Sequence, residues 1–265
     1  MTRNEFLEME KRICDFQYTS LGYCDYDDVE GYEVIEDSKT LLCVKGYDVE
    51  AGMIQYHWAA DHASWVVGAI LESPCYLTFV PKGWVKEFEQ VGLRIRNRWH
   101  DYFMKDFIQI KDEATDIEFL KVEECEGASK VTMACRGQSR GFTGQTVQWI
   151  RDWVTGADEF VRNCRIVIER NEVNEIVGIV CTGTYGHESE KGPTCWIREV
   201  AVVPEYQNRG IARKLITQAL SFGKSLGATR AYLAADEQNA GAIHLYESLG
   251  FVASEEESEI NMIRE

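Results

Sequence analysis

The chain has 265 residues, enough for one large domain or two of ordinary size. Apolar residues make up 45% of it and aromatic residues 11%, which excludes a disordered chain. The formal net charge of −16 repels phosphate backbones and anionic lipid heads, so nucleic acid and membrane surfaces are excluded as partners while small cations would be attracted.

The nine cysteines, Cys14, Cys24, Cys43, Cys75, Cys125, Cys135, Cys164, Cys181 and Cys195, are scattered, odd in number and without a CxxC pair. That spacing fits thiols in a reducing compartment better than a disulfide framework or a zinc site. The start of the chain has no apolar core behind a basic segment, and the most apolar run, 63–71, is roughly half a membrane span. The expectation is a soluble, cytoplasmic protein.

In chain order, residues 47–56 and 63–72 have helical spacing, 75–80 reads as a strand, 81–91 as a helix opened by Pro81 and stopped by Gly92, and 93–102 as a strand. The polar, acid-rich segment 121–129 marks a boundary between domains 1–125 and 126–265. Beyond it, 131–135 reads as a strand and 143–153 as a helix with Val147, Ile150 and Val154 on one side. Strands 164–169 and 176–184 form a hairpin around the polar turn 171–175. After a loop at 186–192 come strand 196–203, helix 209–226 ended by Gly227, strand 232–235, helix 239–249 closed by Gly250, and two short strands around Glu255, Glu256 and Glu257. Strand pairs followed by strand-helix-strand-helix imply an α/β domain with a central mixed sheet.

The two halves echo one another. Tyr76-Leu77, a helix and Phe88-Glu89-Gln90-Val91-Gly92-Leu93 have the layout of Tyr232-Leu233, a helix and Tyr246-Glu247-Ser248-Leu249-Gly250-Phe251. This points to a duplicated strand-helix-strand unit, although any such unit with a glycine cap would look similar.

The segment that carries chemistry is Val200-Ala201-Val202-Val203-Pro204-Glu205-Tyr206-Gln207-Asn208-Arg209-Gly210-Ile211-Ala212-Arg213-Lys214-Leu215. A buried strand ends at Pro204, and a helix opens within Gln207-x-x-Gly210-x-Ala212. The first turn of a helix carries unpaired N–H groups and a partial positive charge, so it can hold an anion. Gly210 has no Cβ to keep a phosphate away, and Arg209, Arg213 and Lys214 add positive charge to an otherwise acidic chain. A pyrophosphate is a reasonable ligand.

This stretch resembles motif A of the GNAT superfamily of N-acetyltransferases, [QR]-x-x-G-x-[GA]. Asn239-Ala240-Gly241-Ala242-Ile243-His244-Leu245-Tyr246-Glu247-Ser248-Leu249-Gly250-Phe251 resembles the family's motif B, and the resemblance covers roughly 130–265. It implies the GNAT acyl-CoA N-acyltransferase fold, preceded by a second, smaller α/β domain that would be a degenerate GNAT-like copy. It implies acetyl-CoA as co-substrate, no metal, and direct transfer to a primary amine of a small molecule or peptide in a ternary complex. A non-catalytic acyl-CoA-binding regulatory module is the alternative.

By the same resemblance, the backbone of Val200, Ala201 and Val202 would pair with the pantetheine arm, and the N–H of Val202 would hold the oxyanion. Main-chain groups of Asn208, Arg209, Gly210, Ile211, Ala212 and Arg213, in the turn opened by Gln207, would wrap the pyrophosphate. Asn239 would bond the pantetheine arm, and Tyr246 would protonate the leaving thiolate. The family's usual glutamates are replaced by Ala234 and Trp196. Glu199 is therefore the candidate base, with a salt bridge to Arg198 as the alternative reading, and His187 is a second candidate. The acceptor amine is open, with a cationic one favoured by the charge, and a homodimer is compatible.

The first half would lack the chemistry. The stretch before its helix is His57-Trp58-Ala59-Ala60-Asp61-His62, without a glycine-rich loop, and Phe88 stands where Tyr246 stands. His57 and His62 are five apart with no third metal ligand evident. Trp58, Trp65, Trp84 and Trp99 read as core residues.

Overall fold

In the computed structural model, which describes residues 1–48, 51–107, 116–156 and 160–265, the chain divides between Trp99 and His100 and again between Glu256 and Glu257. One unit holds Met1–Trp99 with Glu257–Glu265, and the other holds His100–Glu256.

The first unit begins with α1 (Arg3–Ile13), started by a capping box in which Thr2 accepts from the Glu5 N–H and Glu5 reaches back to the Thr2 N–H. It continues through β1 (Tyr18–Thr19), α2 (Tyr26–Val29), β2 (Glu33–Asp37), β3 (Leu41–Asp48), β4 (Met53–Ala60), α3 (Ala63–Ala69), β5 (Cys75–Leu77), α4 (Val85–Gln90) and β6 (Arg94–Met104). Strand β3 is buried on both faces, which accounts for its unbroken apolar run. Leu41 and Cys43 join Trp58, Leu77 and Phe88 on one side, while Leu42 and Val44 meet Phe6 and Met9 on the other.

The helix expected over 47–56 is instead the end of β3 and the start of β4, with residues 49 and 50 outside the described set. These strands pair antiparallel through eight residue pairs, Leu41 with Ala60 to Asp48 with Met53. The pairing partner, which local spacing does not show, decides the conformation.

In the second unit α5 (Cys125–Ala134) and α6 (Val147–Thr155) precede β7 (Arg162–Arg170), β8 (Ile176–Tyr185), β9 (Thr194–Val202), α7 (Ile211–Ser225), β10 (Arg230–Asp236), α8 (Ala240–Ser248) and β11 (Val252–Ala253). The last strand, β12 (Glu259–Arg264), belongs to the first unit. Strand β8 lies antiparallel to both β7 and β9, and β9 lies parallel to β10, so the sheet is mixed, as expected. One face carries α7 through Leu215, Ile216, Ala219 and Leu220. The other is covered by α5 and α6 through Val131, Ile150 and Trp153.

The strand expected at 131–135 is the end of α5. Cys125, Ala128, Ser129, Val131 and Thr132 are its buried positions, at helical spacing, and a short β-branched pair does not override that face. The polar segment 121–129 read as a boundary leads into this helix, and the division between units falls earlier, inside β6.

Each unit includes a strand drawn from a remote part of its own sequence. In the first, β12 lies between β5 and β6. In the second, the end of β6 lies beside β10 and pairs with β11 through Phe103–Val252 and Tyr102–Ala253. No helix among the described residues is long and apolar enough to cross a membrane.

Helix α7 sits close on β9 because position 223 is glycine. A Cβ built there lies 2.5 Å from the Cys195 sulfur, whereas one built at Gly241 in α8 meets nothing within 4 Å. Gly223→Ala is expected to lower the urea midpoint despite better helix propensity, with overpacking of about 1–3 kcal/mol outweighing a gain of about 1 kcal/mol. Gly241→Ala is expected to hold or raise it.

Candidate active site

The parallel pairing of β9 and β10 runs only from Thr194–Arg230 to Trp196–Tyr232 and does not continue through Leu233 to Asp236. The parting coincides with a bulge. Thr182 of β8 opposes Ile197 but Cys181 opposes Glu199, so Arg198 is an extra residue on β9. Beyond the bulge, the Val203 N–H donates to Val177 O at 2.9 Å. In an antiparallel ladder such bonded pairs alternate, so Val200 and Val202 aim their N–H and C=O groups away from β8, toward the side β10 has vacated.

A cleft of about 480 Å³ occupies that side. Val200, Ala201 and Val202 form one wall, and Asn239, Ala242, Leu245 and Tyr246 from α8 form the other. The turn Tyr206–Asn208 and the opening of α7, with Gly210, Ile211, Ala212 and Arg213, line its end.

The turn is built for an open helix mouth. Asn208 and Gly210 both have left-handed backbone, with φ of 60° and 81°. Gly210 is the N-cap of α7 and supplies no side-chain cap, so the first N–H groups of this 15-residue helix face the cleft without an intrahelical partner. A Cβ built on Gly210 meets nothing within 4 Å, so the space in front of the helix is free.

The basic side chains of this turn are engaged elsewhere. Arg209 does not line the cleft. Its guanidinium donates to Glu205 O at 2.7 Å and lies over the Tyr206 ring. Lys214 pairs with Glu169 at 2.5 Å, and Arg213 donates to the Ser248 hydroxyl at 2.5 Å. The amide of Gln207 donates to Val202 O at 2.9 Å and to Gln138 Oε1 at 2.7 Å, tying turn to strand. What this corner offers an anion is chiefly main chain and helix dipole.

Tyr246 is 7% exposed and lines the cleft. Among the described residues its hydroxyl makes no hydrogen bond, and burial, with Glu199 nearby, pushes its pKa far up. It is a neutral O–H donor at any physiological pH. Glu199 is half-buried on β9, and the Gln145 side chain donates to it at 3.0 Å. Arg198 does not pair with it. Its guanidinium lies over the rings of Trp149, Trp153 and Trp196, 5.0 to 5.6 Å from their centroids. His187 is held by the Thr184 hydroxyl at 3.0 Å and does not line the cleft. Asn239 lines the cleft and caps α8 by accepting from the Ala242 N–H at 3.3 Å, which leaves its amide N–H groups unused by the cap.

Sequence reasoning missed the loop that closes the other side. Gln138, Ser139 and Phe142 line the cleft, and Arg140 anchors the loop to the end of β10. Arg140 donates to Asp236, a carboxylate only 1% exposed, at 3.0 Å, and to Glu237 at 3.1 Å. No motif flags this pair, which is 96 residues apart in sequence.

A mixed sheet with a splayed parallel pair, an uncapped helix mouth at the splay and a phenol across the cleft defines the acyl-CoA N-acyltransferase fold. Residues 133–251 match the acetyltransferase (GNAT) family, and this half of the chain belongs to the GNAT superfamily. Over 109 residues the chain is 32% identical to an uncharacterized N-acetyltransferase of Methanocaldococcus jannaschii, covering 41% of this chain and 46% of that protein. Over 55 residues it is 40% identical to the spermidine N(1)-acetyltransferase of Vibrio cholerae, covering 20% of this chain and 32% of that one. The chain thus spans less than half the length of these curated relatives. A GCN5-related N-acetyltransferase from Sphaerobacter thermophilus shares the fold with a TM-score of 0.56 at 14% identity, over 85% of this chain and 76% of that one. A protein of unknown function from Staphylococcus epidermidis does so with a TM-score of 0.56 at 13% identity, over 93% and 99%.

Because Asp236 is buried, loss of the Arg140 guanidinium removes a cation from beside a buried carboxylate. Arg140→Met is expected to destabilise the protein by about 3 kcal/mol, the low end for a broken buried pair because Arg140 keeps some solvent access. Chemical denaturation followed by circular dichroism measures it.

Proposed function

We propose that the protein transfers an acetyl group from acetyl-CoA to a primary amine of a small molecule or peptide, by direct attack in a ternary complex. One observation carries this reading: an uncapped helix mouth, an unpaired strand edge and a neutral tyrosine line the same cleft. Main-chain N–H groups from Asn208 to Arg213 hold the pyrophosphate, and the N–H and C=O of Val200 with the N–H of Val202 take up the pantetheine arm as an added strand would. Asn239 donates to the arm from the opposite wall.

In the reaction the amine lone pair attacks the thioester carbonyl carbon. The Val202 N–H stabilises the resulting oxyanion. As the C–S bond breaks, Tyr246 gives its proton to the departing thiolate, and Glu199 removes the proton lost by the amine, directly or through one water. Gln145 positions the Glu199 carboxylate by its hydrogen bond. The net charge of −16 favours a cationic acceptor, and the similarity to a spermidine acetyltransferase supports an amine of that kind. We also assign the first unit as a second, degenerate copy of the fold. This is supported by the framed strand in each unit and by Phe88, which is fully buried where Tyr246 meets the cleft.

Thiol release from acetyl-CoA over a panel of amines tests the activity. Binding of CoA without thiol release would make the protein a non-catalytic acyl-CoA module. Tyr246→Phe is expected to lower kcat about a hundredfold or more with little change in KM for acetyl-CoA. Because its pKa is raised, ionisation of Tyr246 is not expected to bend the rate profile below about pH 10. Gly210→Val is expected to weaken CoA about tenfold or more in a calorimetric titration, since the left-handed cap is lost and the side chain fills the anion's place.

A further inference from the structure

The first unit holds a cavity of its own, about 570 Å³, that plays no part in the chemistry above. Its rim carries the carboxylates of Asp27, Asp28 and Glu30, with Asp48 also lining it, and no lysine or arginine is among its lining residues. Among the described residues, no cation lies within ion-pair distance of Asp27, Asp28 or Glu30. Tyr23 and Phe79 stack beside it with ring centroids 3.9 Å apart and planes 6° apart.

At the floor the hydroxyl of Thr78 is buried without a hydrogen-bond partner, on a residue only 8% exposed. A buried hydroxyl left unpaired is costly, so a native fold retains one where a ligand or water completes it. The rest of the floor is fixed. The Tyr32 ring packs on the Cα of Gly46, where any Cβ would fall 2.1 Å from a ring carbon, and its hydroxyl donates to Gln55 at 3.1 Å.

Cys24 and His57 also face the cavity, with sulfur and Nδ1 3.0 Å apart. They are not an activated nucleophile. Burial, with Asp28 and Asp25 beside it, raises the thiol to about 12, and burial lowers the imidazole to about 4. Neither group carries a charge, so the fixed charges facing the cavity are all negative. A bare metal ion fits less well, because among the described residues no three His, Cys, Asp or Glu side chains group as ligands.

We propose that this cavity is a binding site for a small alkylammonium ion, separate from the transferase cleft. The ammonium donates to Thr78 Oγ1 and is held by the field of the rim carboxylates, while the alkyl chain lies against Tyr23 and Phe79.

The test is calorimetric titration of putrescine into the full chain without acetyl-CoA, with 1,4-butanediol as the uncharged counterpart. Saturable binding is expected for putrescine only, and it should weaken several-fold between low and high salt because the rim is exposed. Thr78→Val, an isosteric change that removes a buried unpaired group, is expected to stay folded by circular dichroism and to weaken binding about tenfold. Asp27→Asn with Glu30→Gln is expected to weaken it similarly, and Tyr246→Phe to leave it unchanged. Equal heats with butanediol, or no saturation by putrescine, would overturn the assignment. So would unchanged affinity in both first-unit variants, which would place the diamine elsewhere, including the acceptor site of the transferase cleft.

Discussion

Parallel strands β9 and β10 leave each other after Trp196 and Tyr232, and the main-chain groups freed on β9 must bond to something other than a neighbouring strand. This parting is the constraint on which the rest of the second unit rests. The extra residue at Arg198 turns β9 away, and α7 and α8 then hold the gap open from either end. The cleft is therefore a fault in the sheet, flanked by a packed core on both faces.

The electrostatics follow from the same geometry. The arginines and lysine of the turn bond to Glu205 O, Ser248 and Glu169, so they brace the turn. In the proposed reading, anion recognition falls to the aligned amides of α7. In a chain with a net charge of −16 this is a useful division, because a local cation cluster would be compensated by the surrounding acids. The same acidity has a second expression in the first unit, where Asp27, Asp28, Glu30 and Asp48 line one cavity.

The tryptophans illustrate how one residue type serves two ends. Trp58 and Trp84 fill the first core, as their apolar context implied. Trp149, Trp153 and Trp196 instead form a ring cluster capped by Arg198. That contact takes Arg198 away from Glu199, which accepts from Gln145, a choice between neighbours that only three-dimensional packing makes.

Local information alone determined the helix mouth. Gln207, Gly210 and Ala212 lie within six positions, and a left-handed cap followed by an apolar helix is a short-range property that residue types encode directly. The hairpin at 164–184, helices α6, α7 and α8 and the strand leading to Pro204 were legible for the same reason. Residues 47–56 and 131–135 were not, because their conformations are set by β-pairing and by a buried helix face whose partners lie far away in sequence. The division of the chain within β6, the placement of β12 in the first unit, the Arg140–Asp236 anchor and the Cys24–His57 contact all join residues that sequence leaves remote. Such contacts depend on which surfaces the folded core brings together, and no local pattern of apolar, polar or glycine residues records that.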